Sequence, residues 1–346
     1  MLPSFLDRKA KGKPFLQRPE IFASDVWDNE DSLASPTSSE SSFDEDDVNR
    51  RITPFWPKYR SILRARGFCL ETVKDVKKYY GQQSKAALGF GWDSPYYSRQ
   101  SDFQDDDALC PDAGIPDNLF RGVRLSDSKR VVVKAVHFKS REYSVICELS
   151  RPPLSDDPMN HSIPVLDLFE LADDDIAFIV MEEWSSQLVT NSGLCCLGLF
   201  LSSMRQCIEH IVFMHKHRIT HLDISLRNLL TDYQGRCAYI DYELSRRFEN
   251  SSKALVYNYR GTELPPECEK EGGIDPYKVD VWALAVLILR ACKLTGFWVP
   301  ELMHVIDPML KEDPNRRPSA FTALQIFDKV TKSLGFHLQP VCTSPH

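Results

Sequence analysis

The tightest constraint in this sequence is the spacing of a few polar residues. In THLDISLRNLL, residues 220–230, His221 and Asp223 are followed by Asn228, five positions after the aspartate. Asp241 comes thirteen residues later, in RCAYIDYEL, where a short apolar run ends. The apolar stretches beside both places predict short strands, so Asp223, Asn228 and Asp241 belong on two neighbouring loops. Mg²⁺ prefers oxygen ligands, takes few of them from protein and bridges phosphates. Asn228 and Asp241 suit such an ion, which leaves Asp223 to orient an attacking hydroxyl. Lys134 stands alone in the β-branched run RVVVKAVHF. From mid-strand it can meet the α- and β-phosphates of a nucleotide, with an acid on the following helix holding its ammonium.

The rest of the chain supports a mixed α+β body behind these loops. SREYSVICELS places Val145, Ile146 and Leu149 on one helical face, and IAFIVMEEW reads as a strand. LGLFLSSMRQCIEHIVFMHKH carries apolar residues at 197, 200, 201, 204, 208, 211 and 212, the stripe of a buried helix. KVDVWALAVLILRACKL is apolar nearly all round and should lie centrally. Upstream, WPKYRSILRARGFCLETVKDVKKYY predicts one or two amphipathic helices broken at Gly67, packing on the domain that follows. Residues 81–117 read as a loop-rich connection.

The formal charge of −7, from 42 basic and 49 acidic residues, argues against a general nucleic-acid binder. Nine of those acids, and no Lys or Arg, lie between Asp25 and Asp47 in a serine-rich stretch. Too poor in aliphatics to offset its ordering entropy, that stretch is expected to be disordered. Removing its nine acids leaves 40 against 42 bases, so the acidity belongs to this segment and not to the folded body. The longest apolar run, Val281 to Leu289, is far short of the ~20 residues needed to span a bilayer, and the N-terminus lacks the apolar core of a signal peptide. Ten cysteines without a C-x-x-C pair predict free thiols in a reducing compartment and no zinc site.

In order along the chain, these pieces resemble the eukaryotic protein kinase domain over about residues 116–335. Lys134 matches the strand lysine, Glu142 its partner acid, and FIVMEE, residues 178–183, the inter-lobe hinge. His221-Leu222-Asp223 matches the H-R-D motif, Asn228 the catalytic-loop Asn, and Asp241-Tyr242-Glu243 the D-F-G motif. Pro265-Pro266-Glu267 matches A-P-E, Asp280-Val281-Trp282 the central-helix motif, and Arg317-Pro318 the late Arg that pairs with the A-P-E Glu. SRPPLSDDPMNHSIPVLDLFE, HLDISLRN and the upstream W-x-x-Y-R-x-x-L-x-x-R-G block are similar to kinase-like proteins of mushroom-forming (basidiomycete) fungi.

The resemblance implies a two-lobed α+β fold, with a small mainly-β N-lobe carrying one helix (116–183) and a larger mainly-α C-lobe (184–335). A disordered segment (1–51), a helical and loop extension (52–115) and a tail (336–346) flank it. It implies transfer of the ATP γ-phosphoryl group to a protein hydroxyl, Ser or Thr rather than Tyr. Asp223 and Arg227 are the catalytic candidates, Arg227 screening charge on the transferring group. Lys134, Glu142, Met181, Glu182 and Glu183 are the ATP-binding candidates, and Asn228 and Asp241 the Mg²⁺ ligands. The expected protein is an intracellular monomer, cytoplasmic or nuclear, acting on an unknown protein substrate or scaffold partner.

Several positions depart from the pattern. Where a glycine-rich loop should stand is DNLFRGVRLSDSKR, with Gly122 alone, so phosphate-covering N–H groups are expected to be badly placed. Leu222 replaces the Arg that receives an activation-loop phosphate, and Glu243 replaces a Gly, losing φ freedom and adding an anion near the metal. These departures motivate a second reading, a pseudokinase scaffold. A third, a small-molecule phosphotransferase, shares the H-x-D-x-x-x-x-N loop but not the Glu267, Trp282 and Arg317 elements. His221 and Trp282 are expected in the core, Cys237 as a buried filler, and Glu267–Arg317 as a structural ion pair.

Overall fold

The computed structural model describes residues 48–78, 105–184, 197–232, 235–250 and 254–335. The segment expected to be disordered lies outside the described residues except for 48–51, and so does the 336–346 tail.

The N-lobe is a five-stranded antiparallel sheet in the order β1-β2-β3-β5-β4. Its strands are β1 (Phe68–Leu70), β2 (Leu119–Arg124), β3 (Arg130–His137), β4 (Val165–Leu171) and β5 (Ile176–Glu182). Successive strand residues face opposite ways, which divides the sheet cleanly. Val131, Val133 and Ala135 of β3 join Phe178 and Val180 of β5 on the outer face. The alternate residues Ala177 and Ile179 face the C-lobe core, and Val132 and Lys134 open onto a cavity between the lobes.

Helix α1 (Trp56–Ala65) covers the outer face. Trp56 sits 5.2 Å from Phe120 and Tyr59 5.1 Å from Phe178, ring centre to ring centre. Trp56, Tyr59 and Leu63 are buried, each contributing about 1.5–3 kcal/mol by leaving water. The helix ends as expected at Gly67, whose φ of 91° only glycine adopts at no cost. The expected packing of this segment on the following domain is therefore found, but the boundary at residue 116 is corrected. The sheet takes its first strand from residues 68–70, ahead of that boundary, and the N-lobe carries α1 besides the one helix expected.

Gly122 also changes meaning. It is not a remnant of a glycine-rich loop: it lies in mid-β2, paired with Leu70 of β1 and Val131 of β3. A Cβ there would stand 2.6 Å from the Cys69 carbonyl oxygen, so the glycine lets β1 approach.

The C-lobe is built on α3 (Leu197–Lys216), α4 (Pro276–Thr295), α5 (Met303–Met309) and α6 (Ala320–Ser333). Phe200, Leu201, Met204, Ile208 and Ile211 of the predicted α3 stripe are fully buried. They meet Leu284 and Ile288 of α4 and Phe327 of α6 in one core. Asp275 caps α4, accepting from Tyr277 N at 2.9 Å, with Pro276 in the first turn, and Gly296 closes it in the left-handed region. Two short ribbons lie against these helices: β6 (Ile219–Thr220) with β9 (Arg246–Arg247), and β7 (Leu229–Thr231) with β8 (Cys237–Tyr239). Cys237 is buried as a filler, and the seven described cysteines are free thiols. No described helix is long and apolar enough to cross a membrane.

Candidate active site

The β7–β8 ribbon brings the key residues together. Asn228 leads into β7 and Asp241 follows β8, with Ile240 N donating to Asn228 O at 3.0 Å. The two expected loops are thus neighbours at one end of a hairpin. Asp241 and Arg227 line a cavity of about 660 Å³ together with Lys134, while Asp223 and Asn228 are not among its lining residues.

The loop from His221 to Asn228 is held from behind by Asp280 of α4, which is fully buried. Its carboxylate accepts from His221 N (2.9 Å), Leu222 N (2.8 Å) and His215 Nε2 (3.0 Å). Leu222 has φ 63°, a conformation that costs a side-chain-bearing residue about 1–2 kcal/mol. Charge-assisted bonds from a buried carboxylate are strong enough to hold it. Asp223 is fixed on both oxygens: Oδ2 accepts from Asn228 Nδ2 and Oδ1 from Thr262 N, each at 2.8 Å. With its nitrogen committed to Asp223, Asn228 has its amide oxygen to offer a cation. Arg227 is exposed at the cavity edge.

Lys134 Nζ lies 2.7 Å from Glu142, 3.0 Å from Asp241 and 3.6 Å from Glu243. The tight connection from β3 to helix α2 (Arg141–Leu149) therefore does permit the ion pair. Ser140 Oγ caps α2 by accepting from Tyr143 N at 3.2 Å. Burial alone would lower the Lys134 pKa, but Glu142, Asp241 and Glu243 outweigh it and push it up. Burial likewise works against an ionised Asp241, and Lys134, with His221 and Arg51 adding to it, holds the carboxyl below its ordinary range.

The D-F-G-like segment corrects one expectation and extends another. The left-handed turn falls on Asp241 (φ 65°) and not on Glu243, so Glu243 carries no left-handed strain for want of a glycine. Tyr242 fills the apolar role of Phe, being 1% exposed, but its hydroxyl is also used. It donates to Ser162 Oγ at 3.1 Å and stands 3.2 Å from His210 Nε2. Burial pushes the His210 pKa well down and the Tyr242 pKa up, so both rings are neutral in the core. Sequence reasoning missed His210 and Ser162. The available signal was the tyrosine itself, since a buried phenol needs a partner. Tyr242→Phe should leave His210 Nε2 and Ser162 Oγ without this partner and cost about 1–3 kcal/mol of stability, read as a lowered urea midpoint.

His221 is a core imidazole, as expected: it is fully buried, 5.0 Å from the Tyr242 ring, and burial pushes its pKa down. Trp282 is half-buried, not core. Its ring lies 4.8 Å from the Arg317 guanidinium, which it helps to cover. Met181, Glu182 and Glu183 line the cavity. The Glu183 carboxylate is held by Arg130 at 2.6 Å and by Arg121, and Glu182 accepts from Trp184 Nε1 at 3.2 Å. The N–H groups of Glu182 and Glu183 donate to Pro164 O and Arg130 O. These three residues thus contribute wall and carbonyls to the cavity, not a free carboxylate.

Comparison with known proteins agrees with this geometry. A family model described as protein kinase domain matches residues 119–299, a little over half of the chain. The bifunctional serine/threonine-protein kinase/NEDD4-like E3 ubiquitin-protein ligase of Dictyostelium discoideum is 32% identical over 89 residues, 25% of this chain and 5% of that protein. CBL-interacting protein kinase 25 of Oryza sativa subsp. japonica is 29% identical over 139 residues, 33% of this chain and 27% of that protein. CBL-interacting serine/threonine-protein kinase 5 of Arabidopsis thaliana is 25% identical over 169 residues, 40% and 38% of the two chains. The matched stretches are thus well under half the length of these relatives. The family match begins at the first residue of β2 and runs past the end of α4, taking in both walls of the cavity, and this chain is a member of the protein kinase family.

Proposed function

We propose that the chain is an ATP- and Mg²⁺-dependent protein kinase transferring the γ-phosphoryl group to a Ser or Thr hydroxyl. The observation that carries this reading is the Lys134–Glu142 contact at 2.7 Å, with Asp241 at 3.0 Å on the same ammonium. The serine/threonine names of the relatives support the acceptor class. In this reading Lys134, positioned by Glu142, binds the α- and β-phosphates. Met181, Glu182 and Glu183 wall the base. The Asn228 amide oxygen and the Asp241 carboxylate are the donors that suit Mg²⁺. When bound, the ion would supply neutralisation of the charge that develops on the phosphates. Asp223, fixed by Asn228 and Thr262, orients the acceptor hydroxyl and takes its proton. Arg227 screens the transferring group from the cavity edge. Most of the rate enhancement then comes from positioning and electrostatics.

The buried Glu267–Arg317 pair supports a protein acceptor over a small-molecule one, since it belongs to the protein kinase pattern. The free cysteines support an intracellular, cytoplasmic or nuclear setting, and the fungal likeness supports the same class. The pseudokinase reading has its own observation. Glu243 adds a third carboxylate around Lys134, and Glu142, Asp241 and Glu243 present oxygens within 4.8 Å of one another. Single-turnover assays with Mg·ATP and a mixed Ser/Thr peptide library decide between them. Wild type should turn over, with Asp223→Ala slower by about 10²–10⁴-fold, the usual span for a positioned base. Equal, background rates in both proteins would establish the pseudokinase.

A further inference from the structure

Among the described residues, the cover of the cavity offers few free donors to a phosphate chain. Its roof comes from the connection between β1 and β2, where Gly114, Ile115, Pro116 and Asn118 line it. Three amides of this stretch are turned onto the loop itself. Gly114 N donates to Asp112 Oδ1 at 2.9 Å, Ile115 N to Asp112 O at 3.1 Å, and Leu119 N to Pro116 O at 2.9 Å. Pro116 has no N–H to give. Among the described residues of this connection, these amides are thus committed within the loop and not offered together as a phosphate cradle.

A side chain from elsewhere reaches the same place. Arg51 lines the cavity with Lys134, Glu142 and Asp241. Its segment is fastened at both ends. Asn49 Oδ1 accepts from Arg141 N, the first residue of α2, at 2.8 Å, and Ile52 packs on the outer-face core beside Trp56. Between these anchors the Arg51 side chain stays 53% exposed and stands 3.8 Å from Glu243, beyond hydrogen-bond length. It is thus a cation held at the right place by one loose counter-ion.

We propose that Arg51 grips the phosphate chain of a bound nucleoside di- or triphosphate. This rests on the nucleotide-binding reading above. A guanidinium can exchange its long contact with Glu243 for paired hydrogen bonds to phosphate oxygens, a geometry that a lysine cannot reproduce. The contact reads the phosphates and ignores the base.

Isothermal titration of the full chain with Mg·ATP, Mg·ADP and adenosine tests it. Arg51→Ala should weaken Mg·ATP binding about tenfold or more, weaken Mg·ADP less, and leave adenosine unchanged. Arg51→Lys should recover part of the loss. Asn49→Ala, which keeps the charge but frees one anchor, should give an intermediate weakening with the same order among the ligands. Equal weakening of all three ligands by Arg51→Ala would mean that the segment only props the fold, and unchanged Mg·ATP binding would remove Arg51 from the site. Either result overturns the assignment and leaves the nucleotide reading standing. Wild type that binds none of the three ligands overturns the nucleotide reading itself, and Arg51 falls with it.

Discussion

Replacing Arg317 by alanine should lower the unfolding free energy by about 3–5 kcal/mol, the cost of stranding a buried partner charge. All five guanidinium N–H groups have acceptors. Nη1 and Nη2 donate to the two Glu267 oxygens at 2.6 Å each. Nε donates to Lys311 O at 2.8 Å, and the remaining two reach Lys278 O (3.1 Å) and Glu312 O (3.3 Å). The group is fully buried, with Trp282 over one face. Truncation leaves one carboxylate and three carbonyls without their donor, where water does not easily follow. Arg317→Lys should recover little, because an ammonium cannot fork onto two oxygens and serve three carbonyls. Urea titration gives the answer, and a loss of under 1 kcal/mol for Arg317→Ala would contradict the buried network.

Lys134→Met should have the other large effect, in two measurable parts. Loss of the one cation inside three carboxylates is expected to lower kcat/KM by about 10²–10³-fold, the cost of removing one oriented electrostatic group. Stability should fall too, with a definite pH dependence. In the wild type Lys134 has a raised pKa, so its contribution is complete below the ordinary lysine value near ~10.4 and is lost only as pH rises beyond it. Asp241 has a lowered pKa, so its contribution is present above the ordinary carboxyl value near ~3.9 and is lost as pH falls through the lower folded value. Without Lys134 the three acids repel one another, and the folded-state pKa of at least one rises. An acid with a raised pKa destabilises the fold as pH climbs past its ordinary value. The gap in Tm between wild type and Lys134→Met should therefore be small near pH 4.5 and wide near pH 7.5. A gap that stays constant or narrows over that range would argue against the carboxylate cage.

The cluster of candidate site residues was legible because most of it is local. Asp223 and Asn228 share one loop, Asp241 lies one short hairpin away, and each carries its own residue type into the pattern. Lys134 and Glu142 were nearly as plain, separated by one tight connection. The Glu267–Arg317 pair spans fifty positions, and only the resemblance joined its ends. Other features left no local mark. Strand β1 has three residues, too few to show alternation, and pairs with a strand beginning at residue 119. Gly122 was misread for that reason, since without β1 beside it a glycine before the lysine strand looks like a loop. Arg51 is the last residue of the segment read as disordered, where charge patterning carries no positional information. His210 lies between the apolar positions read along α3, and only packing shows that its ring meets Tyr242.

The Tyr242 hydroxyl has a consequence for motion. Swinging the Asp241–Glu243 segment away from the cavity would break the Tyr242 contacts with half-buried Ser162 and buried His210. At about 1–3 kcal/mol for a buried group left unsatisfied, that alone makes the displaced arrangement several-fold to over a hundredfold rarer than with phenylalanine. The hollow that opens behind such a segment would then exist only fleetingly. Small molecules that need it would have to supply the missing free energy from their own contacts, whereas those that fit the cavity as it stands would bind without that tax.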